Sequence, residues 1–227
     1  MKKKYFIDTN QFINLKLKEA AYFLGYFWAD GYLGTSKMYT LNLQILLSDF
    51  KAVEPVFDIL GTWGKFFRQP KNRQKQGIYY VSNKLLKEFL LTKNYGNRNL
   101  GPILDFIPKH LLKYWYRGYL DGDGNIYIKN STVQLCFASS LNQNWDFIEI
   151  LAKQLEVFHY KVNRYIRPNG NKFSTIRTSS RPDTLKILNY IYENYDGIGL
   201  SRKYEKYIQI YNKIPLKTGP KPKLVII

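Results

Sequence analysis

Phe23 to Gly31 reads FLGYFWADG, and Tyr116 to Gly124 reads YRGYLDGDG. Both are aromatic-rich runs ending in Asp-Gly, with small residues at matching places, and Asp30 and Asp123 lie 93 positions apart. Leu17–Ala29 contains no Pro and no Gly except Gly25, so the first run belongs to a buried or half-buried helix. Residues four apart share a helix face. Gly25 and Ala29 therefore form a small-residue strip that Ala21 continues, and Gly118 and Gly122 form its counterpart. A glycine inside a helix costs about 1 kcal/mol relative to alanine, a cost that close helix–helix contact offsets. The two motif helices are thus expected to pack on each other about a pseudo-twofold axis, with Gly25, Ala29, Gly118 and Gly122 at the interface.

The elements around each motif repeat in the same order. After the first come a turn over Gly31–Lys37, a strand through Tyr39–Ile45 and a helix from Ser48 or Asp49 to about Leu60, with Pro55 as a local irregularity. Strands over Thr62–Arg68 and Gly77–Ser82 and a helix over Asn83–Leu91 follow. After Pro108 the helix Leu111–Gly122 leads to strands near Asn125–Lys129 and Val133–Ala138, and Asn142 or Asn144 opens a helix to Val157. Strands Lys161–Arg167 and Phe173–Thr178 and a helix Pro182–Glu193 complete the second set. Asn94-Tyr95-Gly96 is echoed by Asn194-Tyr195-Asp196. Recurrence of motif and element order together indicates an internal duplication. The reading is an α+β chain of two pseudo-symmetric αββαββα units, an N-terminal half at 1–100 and a C-terminal half at 101–227. The link Asn97–Pro108 is short, and Pro215–Ile227 reads as a C-terminal arm.

Lys and Arg number 35 against 17 Asp and Glu, a formal charge of +18. Such a field favours a polyanionic partner, with a ribosomal or membrane-surface role as the rival readings. Apolar residues at 45% support sizeable cores and exclude a disordered chain. One Cys and two His exclude a disulfide framework and make zinc chemistry untenable. No stretch approaches the roughly 20 apolar residues of a membrane span, and the start, MKKKYFIDTNQF, lacks the apolar core of a signal peptide.

Against that charge two carboxylates stand out. Asp30 and Asp123 end their helices, where the dipole disfavours anions, and Gly31 and Gly124 follow at the position that can turn left-handed. One such Asp-Gly is as readily a turn former. Two brought together by a helix pair in a cationic protein point to divalent metal, and hard carboxylate oxygens suit Mg²⁺. Asp121, matched by Trp28 in the first copy, reads as structural or as a helper.

The cationic side chains cluster on the strands. Ile59–Lys87 contains no acid and carries Lys65, Arg68, Lys71, Arg73, Lys75, Lys84 and Lys87; Lys161–Pro182 contains no acid and carries Lys161, Arg164, Arg167, Lys172, Arg177 and Arg181. Alternation puts Thr40, Asn42 and Gln44 on one face. In the second half it groups Asn125, Tyr127 and Lys129, then Thr132 and Gln134, then Lys161, Asn163, Tyr165 and Arg167, with Phe173, Thr175 and Arg177 aligned similarly. Such side chains on a ribbon that fits a major groove suit base edges, whereas Lys71, Arg73, Lys75 and Lys172 at hairpin tips suit phosphates. Gly77-Ile78-Tyr79-Tyr80 looks superficially like the opening of a GIY-YIG nuclease but opens no domain, and reads as a cross-strand aromatic segment.

The paired nonapeptides resemble those of the LAGLIDADG homing endonucleases in their single-chain, two-motif form. The first copy has Tyr26-Phe27-Trp28 where the family writes Leu-Ile-Asp, but the last Asp and both framing glycines stand. The resemblance implies motif helices packed at the centre and antiparallel sheets forming a DNA-binding saddle. It also implies Mg²⁺-dependent hydrolysis of both strands of a long, weakly palindromic site, with four-nucleotide 3′ overhangs. Asp30 and Asp123, with backbone near Ala29 and Gly122, would hold two or three divalent ions, with Mn²⁺ or Ca²⁺ as in vitro substitutes. Family members place a basic residue near each scissile phosphate. By position these are Arg202 or Lys203 and Lys93 or Arg98, of which Lys203 and Arg98 are taken as catalytic, with Gln44, Ser48 and Ser139 as organisers of water. The expected partner is double-stranded DNA, with intron RNA as a second, and the expected state is an intracellular monomer with no membrane partner, in cytoplasm, nucleoid or organelle matrix. The alternatives are a non-cleaving module on the same fold (an intron RNA maturase or a regulator) and a structural nucleoprotein component.

Overall fold

The computed structural model describes residues 5–34, 38–69, 75–129 and 132–213. An N-terminal segment comprises β1 (Phe6–Ile7) and α1 (Asn10–Ile13). The first half then runs α2 (Lys18–Asp30), β2 (Gly31–Leu33), β3 (Thr40–Leu46), α3 (Leu47–Asp58), β4 (Gly61–Thr62), β5 (Gly64–Arg68), β6 (Gln76–Ser82) and α4 (Lys84–Thr92). The second runs α5 (Lys109–Asp123), β7 (Gly124–Lys129), β8 (Thr132–Ser140), α6 (Asp146–Gln154), β9 (Tyr160–Ile166), β10 (Lys172–Thr178), α7 (Arg181–Ile191) and α8 (Ser201–Lys213). The two antiparallel four-stranded sheets have orders β2-β3-β6-β5 and β7-β8-β10-β9. In each half the strands therefore lie first, second, fourth, third, and the duplication expected from the motifs is present as topology.

Helices α2 and α5 form the centre. Between Lys18 and Asp30 there is neither Pro nor a β-branched residue, and every residue from Ala20 to Ala29 is buried. A helix apolar on all sides belongs inside a core. A methyl group built on Gly25 would overlap the Trp115 carbonyl, and one on Gly118 the Tyr22 carbonyl. One turn on, the same operation at Gly122 meets the Ala29 side chain. Both glycines are thus points of backbone-to-backbone approach, each against the other helix, as the strips require. Tyr22 OH adds a buried bond from α2 to Asp121 Oδ2 of α5 at 2.8 Å.

Each sheet buries one face under helices. In the first half Phe50 of α3 stacks on Tyr79 of β6, with centroids 4.5 Å apart, and Leu41, Leu43 and Ile45 of β3 are buried while Thr40, Asn42 and Gln44 are partly open. In the second half Val133, Leu135 and Phe137 of β8 face inward. Pro55 is tolerated inside α3.

Four local expectations are corrected. Gly31–Leu33, read as part of a turn, is an edge strand paired with Leu41–Leu43; three residues are too few to show alternation. Gly31 and Gly124 are extended (φ −78° and −93°), not left-handed. They are glycines because a Cβ would strike Phe27 and Leu120 one turn back in the helices they follow. Left-handed residues lie elsewhere, among them Asn94 and Asn194 in the two echoed segments. Asp49, read as a cap for α3, caps nothing and instead holds Arg202. The Arg202 segment is itself a helix, α8, which has no counterpart in the sequence reading. The expected arm at 215–227 lies outside the described residues.

The helix crossing yields a direct expectation. Gly25→Leu or Gly118→Leu should lower the unfolding free energy by about 3 kcal/mol or more, the upper range for overpacking, because the obstruction is backbone and not a mobile side chain. Urea denaturation monitored by tryptophan fluorescence measures it; wild-type stability in either variant would contradict the crossing.

Candidate active site and nucleic-acid interface

Because Ala29 packs on Gly122, Asp30 and Asp123 emerge at the same end of the helix pair. A methyl built on Gly122 would lie 3.2 Å from Asp30 Oδ2. Asp30 is itself exposed at the helix end, yet the protein packed around its carboxyl desolvates it and lifts it to about 6, opposed by Arg98 and Lys203. Burial and the negative charge of Asp30 lift Asp123 to about 7, opposed by Arg98 and Lys203. The carboxyls therefore disfavour joint ionisation, as expected of like charges sharing a site.

Helix C-termini leave carbonyls without intrahelical donors, and here cations supply them. Arg98 of the inter-half link reaches across the crossing: one guanidinium nitrogen donates to Asp123 Oδ2 at 3.1 Å and Ser139 Oγ at 2.9 Å, the other to the Ala29 carbonyl at the end of α2. The loop holding it is shaped by Asn94, whose side-chain amide donates to the Gly101 carbonyl at 2.9 Å. Lys203 is buried at the end of α5 and donates to the carbonyls of Leu120, Asp121 (2.8 Å) and Gly124 (2.8 Å). All three ammonium protons are so used, and burial pulls its pKa down to about 8.

Lys203 thus closes a helix end. Its neighbour Arg202 is the one that lines the cleft, with a half-exposed side chain held by Asp49 at 2.6 and 3.0 Å. The start of α8 is set from the second motif. Asp121 Oδ2 accepts the Leu200 N–H at 2.8 Å, and the fully buried Arg117 donates to the Ile191 and Ile198 carbonyls at 2.8–3.1 Å. Asp121 is therefore a structural anchor, and burial raises its pKa. A cleft of about 490 Å³ opens here, lined among others by Asp30, Gln44, Asp49, Gln76, Arg98 and Arg202.

Strand registers sort the expected contact residues. Asn42 pairs with Tyr80, which pairs with Gly64; Gln44 pairs with Ile78, and Arg68 with Gln76. Thr40, Asn42, Gln44 and Arg68 therefore share the open face of the first sheet with Tyr80, Gln76 and Phe66, and Arg68 donates to Gln44 and Gln76. Lys65 lies on the other face, opposite Tyr79, and is paired with Glu54 and Asp58 of α3 at 3.0 and 2.7 Å. Its expected place on the open face is corrected: a strand entered through Gly64 puts odd positions toward the helix. Lys75 is exposed beside the hairpin, whereas Lys71 and Arg73 lie outside the described residues.

In the second sheet Asn125, Tyr127 and Gln134 share a face, and Lys129 pairs with Thr132 at the strand ends. Arg177 pairs with Lys161, Thr175 with Asn163 and Phe173 with Tyr165, so these six also lie together. Tyr165 stacks on Phe173 at 4.9 Å, and the Arg167 guanidinium sits 4.6 Å from the Phe173 ring centre. Lys172 is exposed where β10 begins. Lys93, a rival to Arg98, is instead paired with Asp105 at 3.1 Å. The sequence reading missed Tyr32, Tyr80, Phe66 and Gln76. The first would have followed from recognising β2, where it pairs with Asn42.

Among the described residues no group of three or more His, Cys, Asp or Glu is placed to hold a metal. Mg²⁺ does not need one: it binds through one or two carboxylates with waters and substrate phosphates. Two hard carboxylates brought to one end of a helix pair, one of them already engaged by a guanidinium, fit a cation.

No protein-family model matches the chain. The curated ATP-dependent DNA helicase Hel308 of Methanocaldococcus jannaschii is 27% identical over 190 residues, covering 81% of this chain and 15% of that protein. The chain thus spans about 15% of the length of the curated relative it matches. Full-length DUF199/WhiA from Thermatoga maritima superposes with a TM-score of 0.52 at 14% identity, over 90% of this chain and 64% of that one. The homing endonuclease I-WcaI bound to its DNA recognition sequence gives 0.52 at 13%, over 88% and 89%. At these identities the likeness establishes the fold, which is of the LAGLIDADG type, the architecture also of DNA-bound homing endonucleases. No helix among the described residues is long and apolar enough to cross a membrane.

The raised carboxyl gives a pH expectation. Asp123 titrates near 7 in the folded chain against an ordinary 3.8. The folded state therefore keeps a proton that the unfolded chain releases between those values. Stability from this group falls as pH rises through that window and stays reduced above it. Without divalent metal, Asp123→Asn should leave Tm unchanged near pH 4 and raise it by roughly 2–4 °C or more at pH 8. Calorimetry at the two pH values checks this; a Tm lowered at pH 8 would mean that the ionised carboxylate is favourable in place.

Proposed function

We propose that the chain is a site-specific, Mg²⁺-dependent DNA endonuclease of the homing type, cutting both strands of a long, weakly palindromic site and leaving four-nucleotide 3′ overhangs. The observation that carries this reading is the pair Asp30 and Asp123: equivalent acids of two halves with the same sheet order, delivered to one place by the helix crossing. The halves 1–100 and 101–227 would each take one half-site, and a monomer would suffice. Divalent ions held by Asp30, Asp123 and main-chain carbonyls near Ala29 and Gly122 would supply Lewis acidity and lower the pKa of bound water. Arg202 and Arg98 would stabilise charge on the scissile phosphates, and Lys203 would hold the end of α5, and with it Asp123, in position.

The open sheet faces would read the DNA. Asn42, Gln44, Arg68, Asn125, Tyr127, Gln134, Lys161, Asn163, Tyr165, Arg167 and Arg177, joined by Thr40 and Lys129, offer donors and acceptors for base edges. Lys75 and Lys172, with Lys71 and Arg73, would hold phosphates. Work on DNA places the protein inside the cell. A second reading, a non-cleaving regulator or maturase, has in its favour the ion pair that Asp123 already makes. Against it stand two intact acids, for which a binding-only surface facing phosphates has no use.

Selection of cleaved sites from a randomised DNA library in Mg²⁺ decides between them. Asp30→Asn and Asp123→Asn should each lower double-strand cutting by about 10³-fold or more, since several kcal/mol of charge stabilisation are lost, while binding survives. Undiminished cutting by the double variant would place the chemistry elsewhere, and no cutting by wild type would favour the binding-only reading. In the same assay Arg177→Ala should change the preferred site, whereas Lys65→Ala, on the helix side of its sheet, should leave it unchanged.

A further inference from the structure

The duplication is broken at the paired acids. Asp123 is engaged by a guanidinium, and Asp30 accepts no hydrogen bond from the described residues. The second half does bring two cations to the equivalent region, but both are committed. Lys203 spends its protons on three carbonyls, and Arg202 is held by both oxygens of Asp49.

Arg98 is itself tightly placed. Its carbonyl accepts the Asn144 N–H at 3.1 Å. Ser139, which accepts from its guanidinium, donates onward to Gln143 Oε1 at 2.9 Å. Gln143 is fully buried, and its amide donates to the Asn144 carbonyl at 2.5 Å. This chain of bonds holds a positive charge on the oxygens a cation would use on that side, Asp123 Oδ2 and the Ala29 carbonyl. A charge-assisted bond to a carboxylate is among the stronger hydrogen bonds, so a divalent ion using Asp123 Oδ2 and the Ala29 carbonyl must displace it.

We propose that Arg98 is a positioning residue that makes the two aspartates unequal toward divalent cations, so that a cation binds first at Asp30 and reaches Asp123 only when Arg98 swings away. This rests on the metal-dependent reading above. The freed guanidinium is then available to a phosphate, which couples arrival of the second cation to engagement of DNA.

Mn²⁺ binding to the full chain, counted by electron paramagnetic resonance of the free ion, tests this without reference to cleavage. Wild type should show one site at least tenfold tighter than a second. Asp30→Asn should remove the tight site, and Asp123→Asn should remove only the weak one. Arg98→Ala should bring the two affinities within about threefold, and Arg98→Lys, which keeps a cation but loses the fork, should fall between. Circular dichroism reports folding, and Arg98→Met serves if Arg98→Ala unfolds. Two equal sites in wild type, or a ratio unchanged in every Arg98 variant, would overturn the proposal while leaving the metal-dependent reading in place. No Mn²⁺ bound by any form at millimolar concentration would remove both.

Discussion

The approach of two helix backbones through Gly25 and Gly118 is the contact on which the rest depends. It places Ala29 on Gly122 and hence Asp30 beside Asp123. Any side chain larger than hydrogen at either glycine would separate the helices and divide the site. Helix propensity argues against glycine in both places, so these residues are explained by the contact and not by the helices that contain them. Two carboxylates at helix C-termini oppose both the helix dipoles and each other. Arg98 and Lys203 answer this from the segments that follow each half, one across the crossing and one beneath α5.

Much of this was legible in the chain. The motif pair, the element order and the alternation in β3, β9 and β10 carry the fold because burial with periods of 3.6 and 2 leaves direct marks. The aspartates were legible for a different reason: they are conspicuous in a cationic sequence. What failed was information that lives between elements. Lys65 belongs to a basic run, but its face is set by the register of β5 on β6. Arg202 and Lys203 are adjacent on one helix turn and therefore point in different directions. Which of them lines the cleft depends on Asp121 gripping the Leu200 N–H from another element. Arg98 was placed by alignment of the echoed asparagines, yet its grip on the other half's Asp123 has no sequence signature. Gly31 and Gly124 were recognised as essential for the wrong reason, since crowding by the preceding helix turn, and not a left-handed turn, excludes a side chain there.

The two sheets share a topology but not a chemistry. On its open face the first presents Tyr80, Phe66 and a single described arginine with glutamines. The second carries Lys161 and Arg177 side by side, with the aromatic pair Tyr165 and Phe173. Duplication preserved the scaffold while the exposed faces diverged, as expected where core positions answer to packing and open strand positions answer to a partner.

The proposed metal centre lies between the halves, at Asp30 and Asp123. Anomalous diffraction from crystals of the DNA complex grown with Mn²⁺ tests it most directly. Mn²⁺ peaks are expected at the end of the α2–α5 crossing, within coordination distance of both carboxylates and of DNA phosphate oxygens. Peaks confined to other acids, or a complex in which Arg98 still engages Asp123 and no Mn²⁺ is bound there at saturating Mn²⁺, would contradict it.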